Sequence, residues 1–391
     1  MNILGLHLTL LIGPTIAVPA PLFVTEALSS VEITHNDRGP SAGTLTFRVG
    51  RSGAMEIDYA LLANPLLRPF NRVVLMVTFN VIPQVLFDGF ITQVQLSPGN
   101  DPGATTLVLT LEDISVMMDL EDRRVTHIAQ DETTIANLIL LGYMTYLAFP
   151  PVVLPPTAID FPPPTQRIPA QTGTDRAYLN QMAGRYNYVF YVTPGPLPNQ
   201  NRAYWGPQER GVFPQPALSV NMASESNVDQ IIFRYDALAP TIVIDHVQPS
   251  DIPSPQPLPV VMPASTLLPP LALLQSPMAN LPNVRRSRLS GGAGQVPARG
   301  GVSYAQAWAQ AAAIVNNAAQ EVLQATGTLD ALRYGALLQP RGIVGLRGAG
   351  LSHDGMYYVK SVGHSIRKGE YKQQFTLTRE GLGPITPVVR P

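Results

Sequence analysis

The chain has 391 residues and a formal net charge of -1, and only 14% of its residues are charged. About 25% is usual for a soluble protein, so we expect much of this surface to be buried in an obligate assembly. The near-zero charge gives no indication of nucleic-acid recognition or of binding to an anionic membrane. Because there is no cysteine, disulfides, thiolate metal sites, iron–sulfur clusters and cysteine nucleophiles are excluded.

Two long stretches carry no formal charge, residues 1–25 and 252–284. The first lacks the basic start of a signal peptide and its prolines break helices, so we expect an extended N-terminal arm at 1–24, lying on a partner or on a sheet. The second reaches transmembrane length, but its prolines exclude a spanning helix and indicate polyproline II or irregular coil. The sequence therefore predicts no signal peptide and no membrane insertion.

Residues 31–113 show short strands separated by turn residues. Thr44–Val49 alternates between apolar and polar residues, and Val73–Val81 is a continuous apolar run typical of a strand buried on both faces. In Phe90–Leu96 we expect the even-numbered residues on one face and the two glutamines on the other. Several strands with turns at short intervals predict a sandwich or a barrel.

The middle of the chain mixes helices with strands. Asp113 and Asp131 are predicted N-caps of two short helices, and Gly142 ends the second. A proline-rich segment at 150–169 follows, and then an amphipathic helix. The predicted elements are helices at Ile114–Asp119, Ile135–Leu141 and Thr174–Tyr186 and a buried strand at Tyr188–Val192.

Further strands are predicted before and after a long proline- and glycine-rich insert. They lie at Ala217–Met222, Gln230–Asp236 and Thr241–Val247, and β-structure returns from Gly342 to Gly381. The insert at 249–302 is expected to be irregular, followed by a helix that Ser303 caps and Gly327 closes. An apolar stripe on this helix, which includes Trp308, suits core packing and a subunit contact equally well.

Two strand–turn–strand segments resemble each other. Phe90–Val94 is similar to Tyr358–Val362, and Leu107–Glu112 is similar to Phe375–Glu380. The likeness is explained either by two copies of one barrel or by the general similarity of β-hairpins.

A search for catalytic or metal-binding motifs returns no site. The six histidines are scattered without metal-ligand spacing. Ser352-His353-Asp354 contains the residue types of a hydrolytic triad, but consecutive residues point to opposite sides, and Asp354-Gly355 is typical of a hairpin turn. Glycines 345, 348 and 350 precede no helix, so they predict a tight bend instead of a phosphate loop.

Two charged clusters remain. The carboxylates of Glu112, Asp113, Asp119, Glu121 and Asp122 could supply an acid–base pair, although the adjacent Arg123 and Arg124 favour an ion-paired surface. Arg285, Arg286 and Arg288 lie in the insert and are read as a solubilising linker. No catalytic, cofactor-binding or metal-ligating residue is therefore predicted.

Several segments, in a shared order, resemble baseplate hub proteins, the phage late control gene D family and its relatives in contractile injection systems. These are Leu111–Asp119, the Thr174-Asp175 helix with the strand to Tyr191, Tyr204-Trp205-Gly206-Pro207, and the stretch from Gly327 to Gly381. The resemblance implies a β-rich α+β fold with two tail-tube-like β-barrels and an intervening α/β section. The implied divisions are an arm at 1–24, a first barrel at 25–120, a middle domain at 121–204, a second barrel at 205–247 and 335–383, an insert at 248–334 with a helix at 303–326, and a tail at 384–391.

The resemblance also implies a function without catalysis. We expect a homotrimeric adapter between a hexameric inner tube and a trimeric spike, with a separate spike polypeptide and other baseplate components as partners. Such a protein is assembled in the bacterial cytoplasm and located in the baseplate of a particle or virion. The alternative is a peptidoglycan hydrolase that uses the acidic cluster Glu112–Asp122.

Overall fold

The computed structural model describes residues 2–3, 6–50, 61–62, 64–79, 82–99, 104–156, 168–210, 213–248, 252, 256–264, 268–275, 284–289 and 303–385. Several predicted segments extend beyond these ranges. The C-terminal tail after residue 385 and most of the glycine-rich part of the insert lie outside the described residues.

Fourteen strands form one large sheet whose described strands follow the order β1-β2-β6-β7-β8-β5-β4-β22-β23-β20-β15, with β3 on β2, β21 on β22 and β14 on β21. Their bounds are β1 Asn2–Ile3, β2 Leu6–Gly13, β3 Val18–Pro19, β4 Leu28–Asn36, β5 Ala42–Arg48, β6 Arg72–Phe79, β7 Ile82–Ser97, β8 Thr106–Asp113, β14 Gln215–Ser219, β15 Val228–Tyr235, β20 Leu323–Asp330, β21 Ile343–Arg347, β22 Gly355–Arg367 and β23 Glu370–Arg379. The predicted β-rich α+β class is confirmed. The described strands show no closing pair, so closure into barrels stays a prediction.

The remaining strands form four small sheets. They are β9 Asp122–Thr126 with β11 Ala170–Thr174; β10 Val152–Val153, β13 Asn201–Pro207 and β12 Tyr188–Pro194; β17 Leu258–Met262, β16 Thr241–Val247 and β19 Arg285–Ser287; and β18 Ala272–Gln275 with β24 Gly381–Pro384. The described helices are α1 Leu22–Ala27, α2 Glu132–Leu141, α3 Met144–Leu147, α4 Asp175–Arg185, α5 Tyr304–Gln320 and α6 Ala331–Tyr334, with 3-10 turns at Pro65–Leu67, Ile114–Met118 and Ala223–Glu225.

The first half of the large sheet, β2 to β8, packs the apolar side chains of alternate residues into one core. The first part of the predicted buried run is confirmed, since Val73, Val74 and Leu75 are all fully buried in β6, whereas residues 80 and 81 lie outside the described residues. The N-terminal arm was predicted to be extended and to lie on a partner or on a sheet. Its residues Leu6–Gly13 form an integral strand that pairs with β6 along its whole length, because the alternating apolar residues there complete this core.

The predicted alternation in Phe90–Leu96 is wrong at one point. A β-bulge at Thr92 places two residues of β7 opposite one of β8. Ile91 and Val94 therefore contact the first-half core, whereas Phe90 packs into the core of the middle section. A bulge shifts the side-chain alternation by one residue, which period-2 reasoning cannot anticipate.

A buried ion pair fastens the first half to its surroundings. The Arg72 guanidinium donates from Nε and Nη2 to the two carboxylate oxygens of Asp88, at 2.7 and 2.9 Å. It also donates to the carbonyls of Thr15 and Tyr146, at 3.3 and 3.4 Å. Burial raises the pKa of Asp88, although the hydrogen bonds from Arg72 oppose this. One side chain thus joins β6, β7, the N-terminal segment and the middle section.

The middle section confirms its predicted helices and caps. Asp131 accepts hydrogen bonds from two backbone N–H groups of α2, and Thr174 accepts one from Ala177 of α4. Tyr204–Pro207 resembles the entry to the second barrel of hub proteins, and the implied second barrel begins at residue 205. These residues belong to β13, which pairs with β12, and Trp205 is fully buried in the middle core.

The insert is more regular than predicted. Strands β16, β17 and β19 form a sheet on which α5 packs through Ala307, Ala311 and Val315. Prolines are tolerated in β17 because it is the edge strand of this sheet. Arg285 and Arg286 are exposed but lie in β19, not in a linker. Trp308 is 40% exposed, so the buried stripe of α5 is displaced from the predicted one.

Helix α5 ends at Gln320, not at residue 326, and Gly327 is no helix cap. Residues Leu323–Asp330 form β20, which pairs with β23 on one side and β15 on the other. A Cβ at Gly327 would lie 2.5 Å from the Gln230 carbonyl oxygen and 2.6 Å from Cζ of Phe375. The glycine is therefore required by close packing within the sheet. Backbone pairing with two neighbours outweighs the helical periodicity that extends from α5.

Candidate functional site

Two halves of the large sheet share one topology. The first half uses β4, β5, β6, β7 and β8 in chain order, and the second uses β15, β20, β21, β22 and β23. In each half the hydrogen-bonded order is first strand, second, fifth, fourth and third. The residues between β15 and β20, which include the proline-rich segment and α5, are inserted between the first two strands of the second copy.

Two β-bulges occupy equivalent places in the copies. The fourth and fifth strands shift register between Ile91 and Gln93 in one half and between Val359 and Ser361 in the other. The first and second strands shift between Leu28 and Ser30 and between Val228 and Gln230. Shared irregularities are stronger evidence for duplication than shared alternation, because ordinary hairpins do not require them.

The bulges also correct the predicted alignment of the fifth strands. Ile91 pairs with Leu111, and its counterpart Val359 pairs with Leu377. Leu111 therefore corresponds to Leu377, whereas the sequence comparison aligned it with Arg379. The error is two residues, so each side chain stays on its expected face.

The two copies join at a seam, which we define as the antiparallel pairing of β4 with residues Ser361–Arg367 of β22. Its inward side chains are apolar apart from two histidines. His35 Nδ1 lies 3.0 Å from Ser41 Oγ, and His364 Nδ1 lies 2.8 Å from the Tyr371 hydroxyl. The two imidazole rings meet edge to face across the seam, with centroids 5.4 Å apart.

Burial keeps these imidazoles neutral. Burial, with Arg341 adding to it, lowers the pKa of His35 from 6.5 to about 3. Burial and the neighbouring His35 lower the pKa of His364 well below 6.5. Asp37 lies beside the seam, where burial raises the pKa of its carboxyl although nearby cations oppose this, and Gln208 donates to it at 3.0 Å.

The outer face of the sheet across the seam is polar, with uncharged side chains at its centre and charged ones, such as Glu32, Lys372 and Arg234, towards the strand ends. Threonine, serine and glutamine side chains occupy it from β7 to β15, and a groove of about 390 Å³ crosses β4, β22, β23, β20 and β15. The groove is lined by residues that include Thr34, Gln230, Thr326, Ser361 and Gln374. Neutral hydroxyl and amide groups can hydrogen-bond weakly to many molecules but hold no charged group strongly.

The acidic cluster is occupied by structural contacts. Arg176 of α4 pairs with Glu112 at 3.1 Å and with Asp119. Burial opposes the effect, but hydrogen bonds from Thr174 and Arg176 lower the pKa of Asp119. Arg123 pairs with Glu121 at 3.1 Å and with Asp175 at 3.0 Å.

Asp113 differs from its neighbours, because burial raises the pKa of its carboxyl although hydrogen bonds from Ser115 and Ser41 oppose this. Its carboxylate accepts from the backbone N–H groups of Ser41 and Ser115, at 2.5 and 2.9 Å. Those bonds cap the 3-10 turn after β8 and hold the end of the first half. A general acid needs a raised pKa and access to substrate, and Asp113 is 3% exposed.

The other candidate motifs lie where the sequence places them. Ser352, His353 and Asp354 lie in the turn before β22, and the Asp354 carboxylate accepts from the Ala349 N–H at 2.7 Å. Gly348 has a positive φ of 86°, and a Cβ there would lie 1.9 Å from the Val220 carbonyl oxygen. The predicted turn and tight bend are confirmed.

Within the described residues no group of acidic and histidine side chains is arranged to hold a metal ion. No helix among them has the length and apolar character needed to cross a membrane. The seam could not be predicted from local sequence, since His35 and His364 are 329 positions apart. Only the internal repeat indicated where to look.

Solved structures with the same fold include tail proteins. A tail protein from Neisseria meningitidis MC58 has a TM-score of 0.62 over 97% of this chain and 98% of its own, at 12% identity. The 43 kDa tail protein of prophage MuSo2 from Shewanella oneidensis has a TM-score of 0.63 over 96% and 98%, at 10% identity. An Escherichia coli component of the type VI secretion system, with structural similarity to the T4 tail proteins gp27 and gp5, has 0.53 over 93% and 78%, at 11% identity.

No protein-family model and no curated protein matches the sequence. The chain therefore has the fold of phage tail proteins, and the predicted resemblance to tail hub proteins is confirmed at the level of the fold. At 9–12% identity these similarities concern architecture, and function requires its own argument.

Proposed function

We propose that this chain is the structural hub of a phage tail baseplate or contractile injection particle. It acts as a homotrimeric adapter between a hexameric inner tube and a trimeric spike on a separate polypeptide, and other baseplate components bind around it. Its function is to join a sixfold tube to a threefold spike, and it catalyses no reaction. It is placed in the particle or virion after assembly in the bacterial cytoplasm.

The observation that carries this proposal is the duplicated half-sheet. Each chain holds two copies of one five-strand unit, with bulges at equivalent positions, already joined edge to edge at the seam. Three chains then supply six similar units for a sixfold tube, while the middle section and insert, present once per chain, keep threefold symmetry. A trimer whose chains each held only one such unit would match the threefold spike but would not provide six units for the tube.

The domain division follows from the same argument, with boundaries adjusted to the strands. We assign the first unit to β2 through β8 and the second to β15 and β20 through β23. The middle section extends from β9 to β13, so that it includes Tyr204–Pro207. The insert runs between β15 and β20.

The neutral outer face fits the wall of the passage that such a ring would enclose. A wall of threonine, serine and glutamine holds neither acidic nor basic cargo by strong ion pairs, so cargo of either sign can move along it. Charged residues on this face lie towards the strand ends: Glu32 and Arg367 approach to 3.7 Å at one end, and Arg234 is exposed at the other.

The test is the mass of the purified chain, measured by light scattering and native mass spectrometry at micromolar concentration, together with electron microscopy of the native particle. We expect a trimer in solution and density for three copies between tube and spike. A stable monomer, or a location on the sheath or tail fibres, would contradict the proposal.

A further inference from the structure

Several strand edges of the large sheet have no neighbouring strand among the described residues, and two of them belong to the duplicated units. One is β15, which pairs with β20 alone, and the other is Gln93–Ser97 of β7, which pairs with β8 on one side only. In the duplicated units, β15 corresponds to β4, and Gln93–Ser97 corresponds to Ser361–Ser365 of β22. Those counterparts pair with each other at the seam. The free edges are therefore second copies of two surfaces that already join within the chain.

Burial at these edges agrees with a missing neighbour. At the seam, Ile33 of β4 is 1% exposed and Val362 of β22 is 0% exposed. Their counterparts, Phe233 of β15 and Val94 of β7, are only half-buried. An incoming strand that covered Phe233 and Val94 as the seam covers Ile33 and Val362 would remove this apolar surface from water.

Neither edge is interrupted by proline or by inward-pointing charge, and the bulges in β15 and β7 lie at one end of each edge. Natural edge strands are commonly interrupted by proline or by inward-pointing charge. β15 and Gln93–Ser97 contain no proline, and the two charged residues of β15, Asp229 and Arg234, are exposed instead of pointing inward. Unprotected edges of this kind are suited to pairing with a partner strand.

The seam also supplies the register. Gly363 lies opposite Thr34, and Ser365 lies opposite Glu32. The matched bulges show which residues of the free edges correspond to these seam residues. The same register between two copies would place Gln95 opposite Arg234 and Ser97 opposite Ile232. The ladder ends at Ser97, because the next residue is Pro98 and has no N–H to donate.

We propose that β15 of one copy pairs antiparallel with Gln93–Ser97 of the next copy, with Gln95 opposite Arg234, so that copies join head to tail. This inference rests on the proposed function and names the contact through which the trimer forms. Because each contact uses two different edges, association is heterologous and can close into a ring, which an isologous dimer cannot do. Three seams within chains and three contacts between chains then alternate around the ring.

Cysteine cross-linking tests the register directly, since the natural chain has no cysteine. A chain that carries both Gln95→Cys and Arg234→Cys should form a covalent trimer on mild oxidation, seen on a non-reducing gel. Chains with one substitution should remain monomeric on that gel, whereas an equimolar mixture of the two single variants should form a cross-linked dimer. Ser97→Cys with Ile232→Cys is a second pair at the same interface, in case the first folds poorly.

Two controls calibrate the result. Thr34→Cys with Gly363→Cys is the equivalent pair at the seam and should form a disulfide within one chain, which shows that this strand geometry permits oxidation. Gln93→Cys with Arg234→Cys is two residues out of register, about 7 Å along the strand, and should cross-link at least tenfold more slowly.

The outcomes separate this inference from the proposed function. A trimer by native mass whose Gln95/Arg234 cysteines stay reduced would overturn the ladder and leave the trimeric hub in place. Cross-linking of Gln95→Cys chains to each other would show an isologous contact and also overturn it. A monomer by native mass would refute the trimer and the ladder together.

Discussion

Replacing His35 by glutamine should make the protein less sensitive to mild acid. In the folded chain burial lowers the pKa of this imidazole from 6.5 to about 3, so between these values the unfolded chain binds a proton that the folded chain does not. The free energy of unfolding therefore falls as pH falls from 6.5 towards 3. Each pH unit costs about 1.4 kcal/mol, so a change to pH 4.5 removes about 3 kcal/mol.

Glutamine does not titrate, and its amide can still reach the Ser41 hydroxyl that His35 contacts. The substitution has a packing cost, but that cost is the same at both pH values and cancels in the difference. The buried carboxyls of Asp37 and Asp113, whose pKa values burial raises, act with the opposite sign in both proteins and cancel in the same way.

The assay is urea unfolding of the wild-type and His35→Gln chains at pH 7.5 and pH 4.5. We expect the wild type to lose about 3 kcal/mol more than the variant over this interval. His246→Gln, at an exposed position of β16, is the matched control and should show the wild-type loss. Equal losses in wild type and His35→Gln would refute the conclusion that His35 is a neutral, buried base. Histidine NMR signals from the folded protein give an independent check of its protonation.

Three other substitutions test separate parts of the fold. Gly327→Ala should lower the free energy of unfolding by about 1–3 kcal/mol because its Cβ meets the β15 backbone, whereas Gly184→Ala, with open space around an α4 glycine, should raise it by about 0.5–1 kcal/mol; equal effects in thermal unfolding would contradict the packing argument. Arg72→Met should cost about 3–5 kcal/mol by leaving Asp88 buried and unpaired, and adding Asp88→Leu should recover part of that in a double-mutant cycle. Arg176→Met should cost only about 0.5–1 kcal/mol, less at high salt, because its ion pairs are partly exposed; a salt-independent loss would point to packing instead.

The features of the fold that could be predicted from the sequence are helix caps and tight bends. Asp131 and Thr174 cap helices because their side-chain oxygens accept hydrogen bonds from N–H groups two or three residues ahead. This spacing can be recognised in a single sequence. The bend at Gly348 was visible for a similar reason. Each of these features is decided by residues close together in the chain.

Features decided by distant partners were missed. Residues 323–326 were assigned to the end of a helix because Gly327 was interpreted as its C-cap, and only pairing with β15 and β23 makes them part of a strand. The bulge at Thr92 and the burial of His364 likewise depend on strands far away in sequence. No local pattern encodes these features. The acidic cluster was likewise considered as an acid–base pair because its contacts with Arg176 and Arg123 could not be predicted from the sequence.

The histidine pair distinguishes the seam from the edges that copy it. His35 corresponds to Tyr235 of β15, and His364 corresponds to Leu96 of β7, so the edge-to-face imidazole contact exists only where β4 meets β22. If β4 paired instead with β7 of another copy, His35 would lose its imidazole partner and would lie against aliphatic side chains. A duplicated fold needs such a difference, because identical edges could exchange partners between chains. The two buried imidazoles are thus a physical reason for the chain to close its own seam before it joins the next copy.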